Sequence, residues 1–170
     1  MNLNARRRRA AEAARNAGVG ALLVTHLPDV QWLSGFTGSN AALVLSAAKG
    51  GPVRPVLFTD GRYTAQARAE ATGARVVIAP KAAALAACEW LAEHKIRSCG
   101  FDDGNTTVAA LKQMRTAVPA TLRKGLFQPV GALVSTLRWV KDTGEIAKMR
   151  RAAALGCRLF EELLGTMEPG

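Results

Sequence analysis

The feature that most constrains this chain is a series of short strand-like segments, the middle ones continuous apolar runs. They fall at residues 21–25 (ALLVT), 41–46 (AALVLS), 55–59 (PVLFT), 75–79 (RVVIA) and 96–101 (IRSCGF). A strand with one wet face alternates apolar and polar residues, whereas a continuous run fits a strand covered on both faces. Between the runs lie segments of helical composition at 4–17, 60–72, 82–94, 107–118 and 130–138, with a single helical turn at 28–33 and a short sixth strand at 120–122. Gly18, Gly73, Pro80 and Pro119 punctuate the helix and strand ends. The runs at 41–46 and 55–59 fit a hairpin turning at Lys49-Gly50-Gly51-Pro52. Strands alternating with helices predict an α/β sheet with helices on its faces.

The composition can support that core. The chain has 170 residues, 49% of them hydrophobic and 21% charged, enough for one α/β domain or one domain plus a fragment of another. No 18-residue apolar stretch is free of charge, which excludes a membrane-spanning helix. Arg6 to Arg9 precede an alanine-rich run, but Glu12, Arg15 and Asn16 break it, so it is not a secretory core. We read it as a basic helix on a cytoplasmic protein. Cys88, Cys99 and Cys157 are odd in number and far apart, fitting free thiols rather than a disulfide framework or zinc knuckle. The net charge is +10, yet aromatics are 5% and none interrupts the arginine run. That pattern argues against nucleic-acid binding. The run reads as a solvated basic face, or one that meets an acidic partner domain.

Candidate chemistry is sparse. His26 and His94 are the only histidines and neither sits in a metal-ligand pattern. Asp102-Asp103, followed by Gly104-Asn105, reads more simply as a turn. Cys88 and Cys99 read as packing residues, without an evident base. The loop 34–40 (SGFTGSN) is neither a nucleophile elbow nor a Walker loop. The backbone of Gly38-Ser39-Asn40 either binds an anion or carbonyl, or only turns the chain into the next strand. Thr59-Asp60-Gly61-Arg62-Tyr63 places a carboxylate, a guanidinium and the only tyrosine at a strand-to-helix junction. Ligand groups gather at such strand ends. Equally, Asp60 caps the helix, Arg62 makes a surface ion pair and Tyr63 packs the junction. Finally, Asp142-Thr143-Gly144-Glu145 is a capping box. It is followed by apolar residues Ile146, Met149, Ala153, Cys157, Phe160, Leu164 and Met167 on one helical stripe. Such a stripe needs something to pack on.

Three of these segments, in order, resemble one family. Residues 29–39 (DVQWLSGFTGS), 57–63 (LFTDGRY) with Gln66-Ala67, and 137–146 (LRWVKDTGEI) are similar to the N-terminal domain of the creatinase/prolidase/aminopeptidase P metallopeptidases. Residues 152–170 resemble the first helix of that family's catalytic domain and the turn after it. The resemblance implies a three-layer α/β/α fold around a mixed sheet of five to six strands, with a ribonuclease-H-like motif. It implies a domain over 1–134, with a linker and the first helix of a truncated catalytic domain over 135–170. It also implies a parent hydrolase of the Xaa-Pro aminopeptidase or dipeptidase kind, with creatinase as runner-up. That parent is expected to use a dinuclear metal, usually manganese, held in its catalytic domain beyond residue 170. This chain alone is then expected to hold no catalytic metal and cut no peptide. Its implied partners are its own catalytic domain and a second subunit of a homodimer, and its implied roles are subunit association and shaping the substrate cleft; the alternatives are a stand-alone binding or oligomerisation protein lacking the catalytic half, or a basic nucleic-acid-binding protein. Cleft-facing residues fall by resemblance on Phe36, Ser39, Asp60, Arg62 and Tyr63.

Overall fold

The computed structural model describes residues 2–47 and 53–168. The hairpin turn expected at 49–52 and the terminal Pro169-Gly170 lie outside the described residues. The chain divides into two units, Asn2–Arg138 and the residues from Trp139 onward.

The described residues of the first unit hold six strands: β1 (Ala21–Val24), β2 (Ala42–Ser46), β3 (Val56–Thr59), β4 (Arg75–Ile78), β5 (Cys99–Phe101) and β6 (Phe127–Pro129). They form one sheet in the order β4-β3-β2-β1-β5-β6. β2 is antiparallel to both β1 and β3, whereas β3–β4, β1–β5 and β5–β6 are parallel. The sheet is therefore mixed, as expected.

Alternate residues of each strand feed opposite faces, because successive side chains in a strand point apart. Leu22, Val24, Leu43, Leu45 and Leu57 pack on one face, against α1 (Leu3–Asn16), α2 (Leu27–Ser34), α3 (Thr64–Glu70) and α6 (Leu133–Leu137). Ala21, Leu23, Ala42, Val44 and Phe58 pack on the other, against α4 (Ala83–Glu93) and α5 (Val108–Thr116). Every residue of β1 and β3 is buried, which is why these strands read as unbroken apolar runs.

The sequence reading needs three corrections. The sixth strand is Phe127–Pro129, not 120–122. Residues 120–125 are turns, closed by Leu122 N–H to Pro119 O and Gly125 N–H to Leu122 O. β6 lies at the sheet edge, where a proline costs no ladder hydrogen bond. The fifth strand begins at Cys99, because Ile96 N–H still closes the preceding helix on Leu91 O. The third correction concerns the arginine run. Arg8 and Arg9 are exposed, but Arg6 and Arg7 are buried. A helix leaves its last carbonyls without intrahelical partners. Here Arg6 Nη1 donates to Trp32 O (3.3 Å) and Arg7 Nε to Leu33 O (2.8 Å), at the C-terminus of α2. Arg7 Nη2 also donates to Thr72 O (2.7 Å), past the end of α3. Half the basic run is thus interior structure rather than a solvated face.

The second unit is dominated by α7 (Thr143–Gly165). It opens on the capping box read from the sequence: Glu145 N–H to Asp142 Oδ1 (2.9 Å) and Asp142 N–H to Glu145 Oε2 (3.0 Å). None of its residues is buried. Leu155, Leu159, Phe160 and Leu163 stand exposed along it. Among the described residues no helix is long and apolar enough to cross a membrane.

Arg7→Ala leaves Leu33 O and Thr72 O unpaired, and is expected to cost about 3 kcal/mol. Arg8→Ala should stay within about 0.5 kcal/mol. Urea unfolding of both variants checks this; equal midpoints would mean the buried guanidinium contributes no more than an exposed one.

Candidate functional site

Antiparallel pairing of β2 with β3 puts the start of β2 and the end of β3 at one end of the sheet, with Ala42 opposite Phe58. The loop entering β2 and the turn leaving β3 therefore meet. Thr59 Oγ1 donates to Asn40 O (2.6 Å) across the gap.

The loop starts at Gly35, which ends α2 in the left-handed region (φ 84°) and donates its N–H to Gln31 O (2.8 Å). A side chain there would meet both the strained φ and Glu70 O, 3.0 Å from an added Cβ. Phe36 then turns inward and is buried. Its ring stands edge-on to Tyr63, with centroids 5.7 Å apart. Gly38 passes over both rings, and an added Cβ would fall 2.2 Å from Phe36 Cζ and 2.9 Å from Tyr63 Cδ1. Ser39 Oγ and Tyr63 OH share a hydrogen bond of 2.7 Å. Asn40 Nδ2 donates to Asp60 Oδ2 (2.6 Å).

The turn leaving β3 is a single 3-10 turn over Gly61–Tyr63, followed by α3. Asp60 caps it by accepting Arg62 N–H (3.0 Å). The same carboxylate takes a two-pronged pair from Arg62 Nε and Nη2, each 3.0 Å. The Arg62 side-chain hydrogen bond holds the Asp60 carboxyl well below the usual carboxylate range, reinforced by Asn40. The pair raises the Arg62 guanidinium in turn. The hydrogen bond with Ser39 lowers the Tyr63 phenol from its ordinary value, and Arg62 adds to this. Arg62 also stacks over the Tyr63 ring at 5.5 Å.

The structure thus brings all five candidate residues into one cluster. Phe36 is its buried floor, Asp60 and Tyr63 are half-buried, and Ser39 and Arg62 are exposed. The two sequence readings of the junction coexist, because Asp60 is both the cap and the partner of Arg62. The cluster offers hydrogen-bond donors: the guanidinium N–H groups turned away from Asp60, and the proton left over by the Ser39–Tyr63 pair. Asn40 enters it through its side chain, whereas the sequence suggested only its backbone. Thr37, Gln66 and Glu70 form an adjoining network that spacing alone does not reveal, since loop and helix lie about thirty residues apart.

The remaining chemical candidates sit elsewhere. Burial pushes the Cys88 thiol up to about 12 and raises Cys99 as well, fitting their packing role. His94 stacks on Trp90 with centroids 3.8 Å apart. His26 Nδ1 lies 3.1 Å from the buried Asp29 carboxylate, which accepts from Arg138 Nη1 (2.7 Å) and Ser135 Oγ (2.9 Å). A small cavity at the carboxyl ends of β1 and β5 is lined by His26, Asp29, Asp102 and Gly131, and by none of the five cluster residues. Asp102 accepts from Gly104 and Asn105 N–H, the turn expected there. Among the described residues no three His, Cys, Asp or Glu side chains converge to hold a metal.

Against known proteins, the sequence model of the Creatinase/Prolidase N-terminal domain matches residues 6–140. The crystal structure of the N-terminal domain of cytoplasmic peptidase PepQ from Mycobacterium tuberculosis superposes with a TM-score of 0.70 at 31% identity, covering 79% of this chain and 98% of that one. The Xaa-Pro dipeptidase from Bacillus anthracis superposes with a TM-score of 0.86 at 25% identity, over 99% of this chain and 45% of that one. An uncharacterized Bacillus subtilis peptidase, YqhT, is 26% identical over 153 residues, 90% of this chain and 41% of the relative. The chain spans less than half the length of that relative and of the dipeptidase.

A carboxylate depressed in the folded state gives stability that is present above its unfolded value and lost as pH falls toward the folded one. The unfolding-midpoint difference between wild type and Asp60→Asn should hold steady above about pH 4.5 and shrink below about pH 3.9. Acid-series urea titrations check this; a constant difference down to pH 2 would contradict the Asp60–Arg62 pairing.

Proposed function

Because the chain belongs to the creatinase/prolidase N-terminal domain family, we propose that it is the non-catalytic N-terminal part of an Xaa-Pro aminopeptidase- or dipeptidase-type metallopeptidase. In this reading it serves subunit association and shapes the substrate cleft. The observation that carries the reading is the superposition of nearly the whole chain, α7 included, on less than half of an Xaa-Pro dipeptidase.

The chemistry of the residues fits a supporting role. The described residues offer no converging metal ligands and do not fit a dinuclear centre. We place that centre, with manganese as its metal, in a catalytic half beyond residue 170. The apolar stripe read from the sequence, with Ile146, Met149, Phe160 and Leu164 exposed on α7, is the surface that half would cover. A second subunit would complete a homodimer. Phe36, Ser39, Asp60, Arg62 and Tyr63 would then face the cleft, where the free N–H groups of Arg62 and the shared Ser39–Tyr63 proton suit the polar ends of a short peptide. A cytoplasmic location accords with the description of the mycobacterial peptidase.

The first test is the intact mass of the native polypeptide from its source cells, followed by assay of the purified protein with manganese on Xaa-Pro peptides. The expected outcome is a mass at least about twice the 18.0 kDa of this chain, with metal-dependent cleavage before proline. A native mass of 18.0 kDa would overturn the proposal.

A further inference from the structure

We propose that Glu70 is the positioning residue of this cluster: from α3 it staples the middle of the loop entering β2, so that Ser39 is held against Tyr63. Its significance for a substrate rests on the cleft assignment above; the staple itself does not.

The loop has three kinds of anchor. Its start is fixed by Gly35 on the end of α2 and by the buried ring of Phe36. Its end is fixed by Asn40, through Thr59 and Asp60. Between them only Thr37 offers a side chain to α3, since Gly38 has none. Glu70 Oε2 accepts Thr37 N–H at 2.8 Å, and both carboxylate oxygens lie 3.0 Å from Thr37 Oγ1. Gln66, one turn earlier on the same helix face, donates from Nε2 to Thr37 Oγ1 (2.8 Å) and to Glu70 (3.1 and 3.2 Å). The directions are consistent. Gln66 donates to Thr37, Thr37 spends its one hydroxyl proton and its N–H on Glu70, and the ionised carboxylate only accepts. Acceptance from the Thr37 backbone holds the Glu70 carboxyl below its ordinary value, with Thr37 Oγ1 and Gln66 adding to it. Glu70 touches neither Ser39 nor Tyr63; it acts on them through Thr37. Charged acceptors make the stronger hydrogen bonds, so this carboxylate is the anchor whose loss would free the span from Thr37 to Ser39.

The chain carries its own reporter, because Tyr63 is its only tyrosine. Phenolate absorbance on alkaline titration therefore reads one site, whose partner is Ser39. The wild type should titrate below the ordinary tyrosine value of about 10, and Ser39→Ala should rise toward it, Arg62 still holding it down. Glu70→Ala should move the midpoint in the same direction and speed hydrogen exchange at the Thr37 amide by about five-fold or more. Glu70→Gln, which keeps one acceptor, should fall between. If Glu70→Ala does not fold, Glu70→Gln serves in its place; Thr37→Val removes only the hydroxyl, leaves the N–H on Glu70 and should move the midpoint part of the way. A Glu70→Ala midpoint identical to wild type, or a Glu70→Gln midpoint identical to it where Glu70→Ala does not fold, with Ser39→Ala shifted, overturns the staple. An unshifted Ser39→Ala overturns the Ser39–Tyr63 contact on which it acts. In the catalytically complete polypeptide, Glu70→Ala should raise KM for an Xaa-Pro peptide about five-fold with kcat within about two-fold. A shifted phenol with unchanged KM overturns the cleft assignment and leaves Glu70 holding a loop alone. A changed KM with an unshifted phenol overturns the staple and leaves the cleft assignment standing.

Discussion

The buried guanidinium of Arg7 joins three parts of the first unit that the chain reaches at widely separate points. It sits on α1, donates to the last turn of α2 at Leu33 O, and donates to Thr72 O after α3. Burying a guanidinium costs several kcal/mol unless its donors are used. Desolvation accordingly lowers the Arg7 pKa. The cost is offset where the acceptors would otherwise be unsatisfied too, and the C-terminal carbonyls of a helix are such acceptors, at the negative end of its dipole. With Arg6 on Trp32 O and Gly35 N–H on Gln31 O, three of the last four carbonyls of α2 are paired. The loop that enters β2 leaves from this capped end, and α3, which carries Gln66 and Glu70, ends at the turn that Arg7 holds. Both walls of the candidate site are thus referred to one side chain.

The second constraint is the hand of the strand pairing. In an all-parallel sheet the loop before one strand and the turn after its neighbour lie at opposite ends. Here β2 runs against β3, so the 35–40 loop and the Asp60–Arg62 turn share one end. The polar cluster is then self-consistent. Asp60 satisfies the turn, the guanidinium and Asn40 at once, while the Phe36–Tyr63 contact leaves space for no residue larger than glycine at position 38.

Much of this was legible in order along the chain. The apolar runs gave β1 to β4 almost to the residue: β1 and β3 are buried throughout and leave no polar positions to blur their ends, and the edge strand β4, only half-buried, still reads as Val76-Val77-Ile78 between Arg75 and Pro80. The capping box at Asp142 was legible because its two hydrogen bonds lie within four residues. β6 was not, because a three-residue edge strand ending in Pro129 has neither periodicity nor length. Nor was the burial of Arg6 and Arg7, since an arginine run looks the same whether its partners are water or carbonyls about twenty-six residues away. For the site, spacing marked Asp60, Arg62 and Tyr63, and the glycines marked the loop. Glu70, Thr37 and Asn40 carry no local signal, being ordinary residues until the fold juxtaposes them.

Asp29 and Arg138 show the same division. Each lies in a segment that is recognisable alone, yet their 2.7 Å ion pair spans 109 residues. The sequence by itself determined β1 to β4, the long helices and the capping box that opens α7. These depend on residue type and on neighbours three or four positions away. Tertiary structure alone decided which carbonyls Arg7 would take, that Asp60 would be shared between Arg62 and Asn40, and that Ser39 would meet Tyr63. A hydrogen bond needs its two atoms within about 3 Å; the antiparallel register of β2 on β3 brings the Asp60–Asn40 and Ser39–Tyr63 atoms that close, and the packing of α1 against the ends of α2 and α3 does so for Arg7.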